Sequence, residues 1–199
     1  MGQSPRKRYS EAPGDRRKMA RAFVVGVVIG ILLVLGAVYF YFASGRAPVA
    51  TAASNMPFER KMANMALHAY LEKLPHPSPQ VPADEKNLLE GAKVYKENCA
   101  VCHGLPGQSP TAIAEGMAPR PPHLFKGTGV TDDDEWETYW KAEGGIRMTG
   151  MPGFKGNLTE TQIWQVTVLL KNADKISPAV KAELVGTVSA PATMATPAK

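Results

Sequence analysis

The chain has 199 residues, 44% of them hydrophobic and 21% charged, a balance that excludes wholesale disorder and suits one globular domain with extensions. Its net charge of +5 sits in residues 1–21, which hold seven basic and two acidic side chains. The rest of the chain balances 16 against 16, which excludes a basic nucleic-acid-binding domain, and two cysteines exclude a disulfide-rich scaffold or a four-cysteine zinc site.

The basic tail, residues 1–21, leads into an uncharged run over residues 22–43 (AFVVGVVIGILLVLGAVYFYFA). As a helix this run is about 33 Å long, enough to cross a hydrocarbon core of about 30 Å. Tyr39 and Tyr41 fall near its end, where amphipathic rings favour the bilayer interface. The run exceeds the apolar core of a cleaved signal peptide, about 7–15 residues, so an uncleaved anchor is expected. Small residues at 50–53 leave cleavage open as the alternative. The positive-inside rule places the tail in the cytoplasm and everything after about Ser44 across the membrane. In a bacterium that is the periplasmic side of the inner membrane.

Residues 44–83 read as a tether. Within it, apolar residues at spacings of three and four predict a helix over 56–74, packed on its own domain or on a partner. The Pro-rich segment Pro75–Pro79 ends that helix. The compact domain is expected over 84–175. Leu88, Leu89, Ala92 and Tyr95 mark its first helix, and a Gly/Pro-rich stretch from 104 to 129 promises little regular structure. A helix is expected from Thr131 to Ala142, with Thr131 and Asp134 in a capping box. A second glycine-rich loop covers 144–157. Thr159 and Gln162 then cap a last helix that carries Ile163, Val166, Leu169 and Leu170 on one stripe. No convincing strand appears, so the class is all-α. Residues 176–199, rich in Ala, Pro and Thr, read as a flexible tail.

The chemistry lies in Cys99-Ala100-Val101-Cys102-His103, a C-x-x-C-H sequence. This is the c-type haem attachment pattern. On one helical turn, residues three and four apart share a face. Two thiols so placed reach the two vinyl groups of one haem, and the following imidazole reaches its iron. A thioredoxin-like dithiol would need a βαβ setting, and a zinc site would need further ligands; neither is visible. One motif implies one haem c, attached through Cys99 and Cys102 with His103 on the iron. His68, His76 and His123 read as surface or packing residues.

The sixth ligand should be a thioether or an imidazole. Met148 and Met151 lie in the second glycine-rich loop, outside any apolar stripe. Pro152 stiffens the backbone after Met151 and the flanking glycines permit close approach to a flat ring, so Met151 is the first choice and Met148 the second.

Over residues 88–171 the chain resembles the class I mono-haem cytochrome c domain. The resemblance rests on Gly91, Ala92, Tyr95, Asn98 and Gly104 around the motif, and on Ala118-Pro119-Arg120-Pro121-Pro122. Thr149-Gly150-Met151-Pro152-Gly153-Phe154 and Leu158-Thr159 before Ile163-Trp164 complete it. It implies an all-α cytochrome c fold around one haem, with His103 as proximal and Met151 as distal ligand. It implies that Gly91 and Tyr95 cross the last helix near Trp164. It also implies a loop proline whose carbonyl holds the proximal ring, for which Pro122 is the candidate and Pro121 the alternative. Arg120 reads equally as a haem-propionate contact and as a solvated arginine.

With both axial positions filled, the implied role is single-electron transfer rather than catalysis by the chain alone. The first reading is an anchored carrier between membrane redox complexes that act as donor and acceptor, held in the lipid bilayer by residues 22–43. The alternative is a fixed cytochrome c subunit of a larger membrane oxidoreductase. A haem-based gas sensor, in which Met151 leaves, ranks third.

Overall fold

The structure, a computed structural model, describes residues 13–186, with side chains from Arg16 onward. Arg6, Lys7 and Arg8 of the basic tail, and residues 187–199, lie outside the described residues. The chain divides after Val49 into two compact units.

The first unit is built on α1 (Pro13–Ala43), 31 residues long. Its stretch Arg16–Ala43 is long and apolar enough to cross a membrane, and none of it is buried by protein. The helix starts before the apolar run because Arg, Lys, Met and Ala are good helix formers. It ends where the Ser44 hydroxyl donates to the Tyr41 carbonyl at 3.0 Å and Gly45 adopts a positive φ of 71°.

The second unit contains α2 (Glu59–Leu71), α3 (Glu85–Asn98), α4 (Ala100–His103), α5 (Ala112–Gly116), α6 (Glu135–Gly144), α7 (Glu160–Lys171) and α8 (Pro178–Val185). No strand forms among the described residues; Lys155 and Leu158 make an isolated bridge. The Asp84 carboxylate caps α3 by accepting the Asn87 N–H at 2.9 Å. Thr159 and Gln162 cap α7 with both halves of the expected box.

Helices α3 and α7 cross at Gly91. A Cβ there would overlap the Gln165 carbonyl, so glycine is what allows the two backbones to touch. Ala92, Val94 and Tyr95 of α3 pack with Val166, Leu169 and Leu170 of α7. The crossing lies beside Trp164, as expected, at the next residue, Gln165. Successive helical positions point about 100° apart, so Trp164 turns to the other side and stacks on Tyr139 of α6, ring centroids 4.3 Å apart.

Three expectations change. The second helix is Glu59–Leu71 rather than 56–74, because Phe58 takes a left-handed φ of 63° and the Met56 N–H donates to the Glu59 carboxylate at 2.8 Å. Helix α6 begins at Glu135, with Asp134 at its N-cap position. The Thr131 hydroxyl is taken instead by the Thr128 carbonyl at 2.7 Å.

The third change concerns the tail. Over 177–185 it is an ordered helix belonging to the domain. Ser177 caps α8 by accepting the Val180 N–H, and Pro178 opens it. Val180 and Leu184 are fully buried in the core formed by α3 and α7, and Lys96 pairs with Glu183 at 2.7 Å. Replacing Leu184 with alanine should therefore cost about 2–5 kcal/mol, read as a lower urea midpoint; a neutral outcome would return these residues to the tail.

The segment between α2 and α3 straps onto the same unit. Trp140 Nε1 donates to the Pro75 carbonyl at 2.7 Å, and the His76 ring stacks on Trp136 at 3.8 Å. Gln80 donates to the Glu160 carboxylate at 2.8 Å.

Candidate functional site

The C-x-x-C-H motif straddles the break between α3 and α4. Cys99 closes α3, its N–H donating to the Tyr95 carbonyl at 2.8 Å. The His103 N–H then donates to the Cys99 carbonyl at 2.9 Å, so the motif forms one helical turn with Cys99, Cys102 and His103 on it. Both cysteines are half-buried and unpaired. Burial pushes the Cys99 thiol up to about 12, with Cys102 adding to the effect. Among the described residues no group of three His, Cys, Asp or Glu gathers for a metal ion.

The turn is fixed from outside. The buried Tyr95 hydroxyl donates to the Gly104 carbonyl at 2.7 Å. Gly104 has a φ of 75°, and a Cβ there would run into the His123 ring. Thr111 caps α5 and its hydroxyl donates to the Val101 carbonyl at 2.6 Å, tying the following loop to the motif. Sequence reading missed Thr111; the threonine ahead of an Ala-rich run was the available signal.

His103 carries the decisive geometry. Its Nδ1 lies 2.8 Å from the Pro122 carbonyl, which can only accept. Nδ1 therefore bears the proton. Burial lowers the ring's pKa, against an opposing effect from the Pro122 carbonyl, and nearby His123 lowers it further. The neutral ring leaves a bare lone pair on Nε2, the form an imidazole ligand requires. Pro122, not Pro121, makes this contact.

The loop 144–155 closes on itself. The Phe154 N–H donates to the Ala142 carbonyl and the Lys155 N–H to the Glu143 carbonyl, both at 3.0 Å. Gly145 and Gly153 lie backbone to backbone; a Cβ on either would overlap the other strand of the loop. Inside the loop, Thr149 donates to the Ile146 carbonyl at 2.6 Å and accepts the Met151 N–H at 3.1 Å. Met148 takes a φ of 61° and is 92% exposed, whereas Met151 is half-buried. The Met117 side chain packs against Gly150, a neighbour that spacing alone did not reveal. Arg120 is exposed.

The residues present fit a c-type haem: two thiols on one turn, an imidazole held with Nε2 free, and a thioether on a glycine-closed loop. A 410 Å³ depression elsewhere, lined by Tyr139, Trp140, Lys155 and Ile163, does not touch the motif. There Lys155 pairs with Glu143 at 3.3 Å, and the Glu160 carboxylate accepts a hydrogen bond from Gln80 at 2.8 Å.

Residues 86–170 match the family model described as cytochrome c oxidase, cbb3-type, subunit III. No curated protein and no solved structure matches the chain. The match covers α3 through most of α7 and contains the whole motif and the Met151 loop. Over residues 86–170 the chain is similar to a class I-like cytochrome c domain, a match that supports an electron-transfer role and implies haem c binding.

Proposed function

We propose that this chain is a membrane-anchored c-type cytochrome that passes single electrons between membrane redox complexes on the periplasmic side of a bacterial inner membrane. It carries one haem, attached through Cys99 and Cys102 and ligated by His103 and Met151. The hydrogen bond from His103 Nδ1 to Pro122 is the observation that carries the reading, because it leaves Nε2 bare beside the two thiols.

Bound haem supplies a reversible one-electron change of iron at fixed ligation. The chain sets the conditions for that change. Pro122 fixes the His103 ring and raises its basicity. Thr149 holds the backbone of Met151. A thioether ligand favours the reduced state and a comparatively high potential. With His103 and Met151 both serving as its ligands, the bound group would offer no coordination site to a substrate. The seven basic residues of 1–21 favour the cytoplasmic side for the tail, and α1 provides the anchor.

Because the strap at 75–80 and Leu71 belong to the haem unit, the free tether shrinks to residues 44–58. A flexible chain of that length has an r.m.s. span of about 20 Å. The haem unit is therefore confined near the bilayer, which raises its effective concentration around membrane partners.

The second reading, a fixed subunit of a larger oxidoreductase, is favoured by the description of the matched family. Blue-native electrophoresis after mild detergent extraction, stained for haem, separates the two. The carrier reading expects most haem stain at the mass of the single chain in its detergent micelle. A single high-mass band holding all the stain would replace it with the subunit reading.

A further inference from the structure

Helix α2 is covered on one edge alone. Leu71 is buried, and Leu67 and Leu74 are half-buried. Phe58, Met62, Met65 and Tyr70 remain 75%, 56%, 57% and 61% exposed. At 100° per residue, Met62, Met65, Ala66, Ala69 and Tyr70 share one side of the helix. Lys61, Asn64 and His68 lie on the other. We propose that this uncovered side of α2 lies in the interface of the bilayer that α1 crosses, so that the haem unit is held to the membrane at two points. This rests on the reading of α1 as a membrane anchor.

Three observations favour lipid over protein as the occupant. The linker 44–58 has 15 residues, so even fully extended it keeps the start of α2 within about 50 Å of the end of α1. The charges around α2 suit anionic headgroups: residues 44–83 hold Arg46, Arg60, Lys61 and Lys73 against Glu59 and Glu72. By contrast, residues 84–186 hold 14 acidic and 11 basic side chains, so after α1 the basic excess lies on the segment 44–83. The exposed residues are two methionines and two aromatics, one of them a tyrosine. Such side chains settle at the boundary of headgroup and acyl chain. Seating α2 there would fix the tilt of the haem unit, because the strap from Pro75 to Gln80 joins α2 to α6 and α7.

The test uses the full-length, haem-loaded chain in vesicles of phosphatidylethanolamine and phosphatidylglycerol. The vesicles contain a lipid bearing a photoactivated carbene precursor in its acyl chain, and a parallel sample receives a water-soluble carbene precursor. Tryptic peptides are read by mass spectrometry. Peptide 22–46 reports the anchor and peptide 62–73 reports α2. The proposal expects lipid label on both, at Met62, Met65 or Tyr70 in the second. In M62E/M65E, the label on 62–73 should be lost while that on 22–46 stays. Lipid label on 22–46 alone overturns the proposal and leaves the anchor intact. Label on neither peptide removes the anchor reading and the proposal with it. Protection of 62–73 from both reagents overturns the proposal in favour of a second copy or a protein partner.

Discussion

Met151→Ala removes the weak far-red absorption band of thioether-ligated ferric haem and lowers the reduction potential, while the haem stays covalently attached. Axial ligands tune haem potentials over roughly 0.8 V, and losing the thioether should cost on the order of 0.1 V or more of that range. The reason lies in the loop. Gly145 against Gly153 closes it, and the Thr149 hydroxyl accepts the Met151 N–H. Met151 is thereby held half-buried. Met148, three residues earlier, is 92% exposed on a left-handed backbone. Met148→Ala should leave band and potential unchanged. The reverse pattern would move the ligand to Met148; loss of the band in neither variant would direct attention to Met117, which packs on Gly150. Carbon monoxide binding by the reduced Met151→Ala form, absent in the parent, is the expected companion result.

The second large effect comes from the thiols. Cys99→Ala with Cys102→Ala leaves no haem on the chain after denaturation, whereas the parent retains it. The hydrogen bonds of the motif turn are made by backbone groups, from Cys99 to Tyr95 and from His103 to Cys99. The turn itself survives the substitution, so His103 can still bind haem without a covalent link. A chain that keeps its haem through acid–acetone extraction after losing both thiols would contradict attachment through this pair. The single variants should each retain one thioether and a shifted pyridine haemochrome band.

Much of the site was legible because its signals are local. The C-x-x-C-H spacing needs only one helical turn. The Thr159–Gln162 box spans only four residues, and both of its hydrogen bonds form. Gly91 is explained by one contact, the approach of the Gln165 carbonyl. The preference for Met151 came from Pro152 and the glycines around it, and the fold adds the backbone reason why Met148 is set apart.

What was not legible depends on distant partners or on competing local ones. The strap joins Pro75 to Trp140 and His76 to Trp136 across some sixty residues, and no local pattern announces such pairs. Helix α8 is hidden by a composition of Ala, Pro and Thr that resembles a linker; the Ser177–Pro178 start was the available sign, outweighed by that composition. The start of α6 is displaced because the Thr131 hydroxyl donates to the Thr128 carbonyl and Asp134 takes the N-cap position. Asp133 is instead drawn to Lys141 at 3.3 Å, while its carbonyl accepts from Lys171 at 2.7 Å.

The most direct test of the central claim is the intact mass of the purified full-length chain under denaturing conditions, taken with its pyridine haemochrome spectrum. The account predicts one haem per chain, surviving denaturation, with the spectrum of a haem whose two vinyl groups are both saturated by thioethers. A mass equal to the polypeptide alone would contradict it, and would leave an anchored helical domain that carries a dithiol.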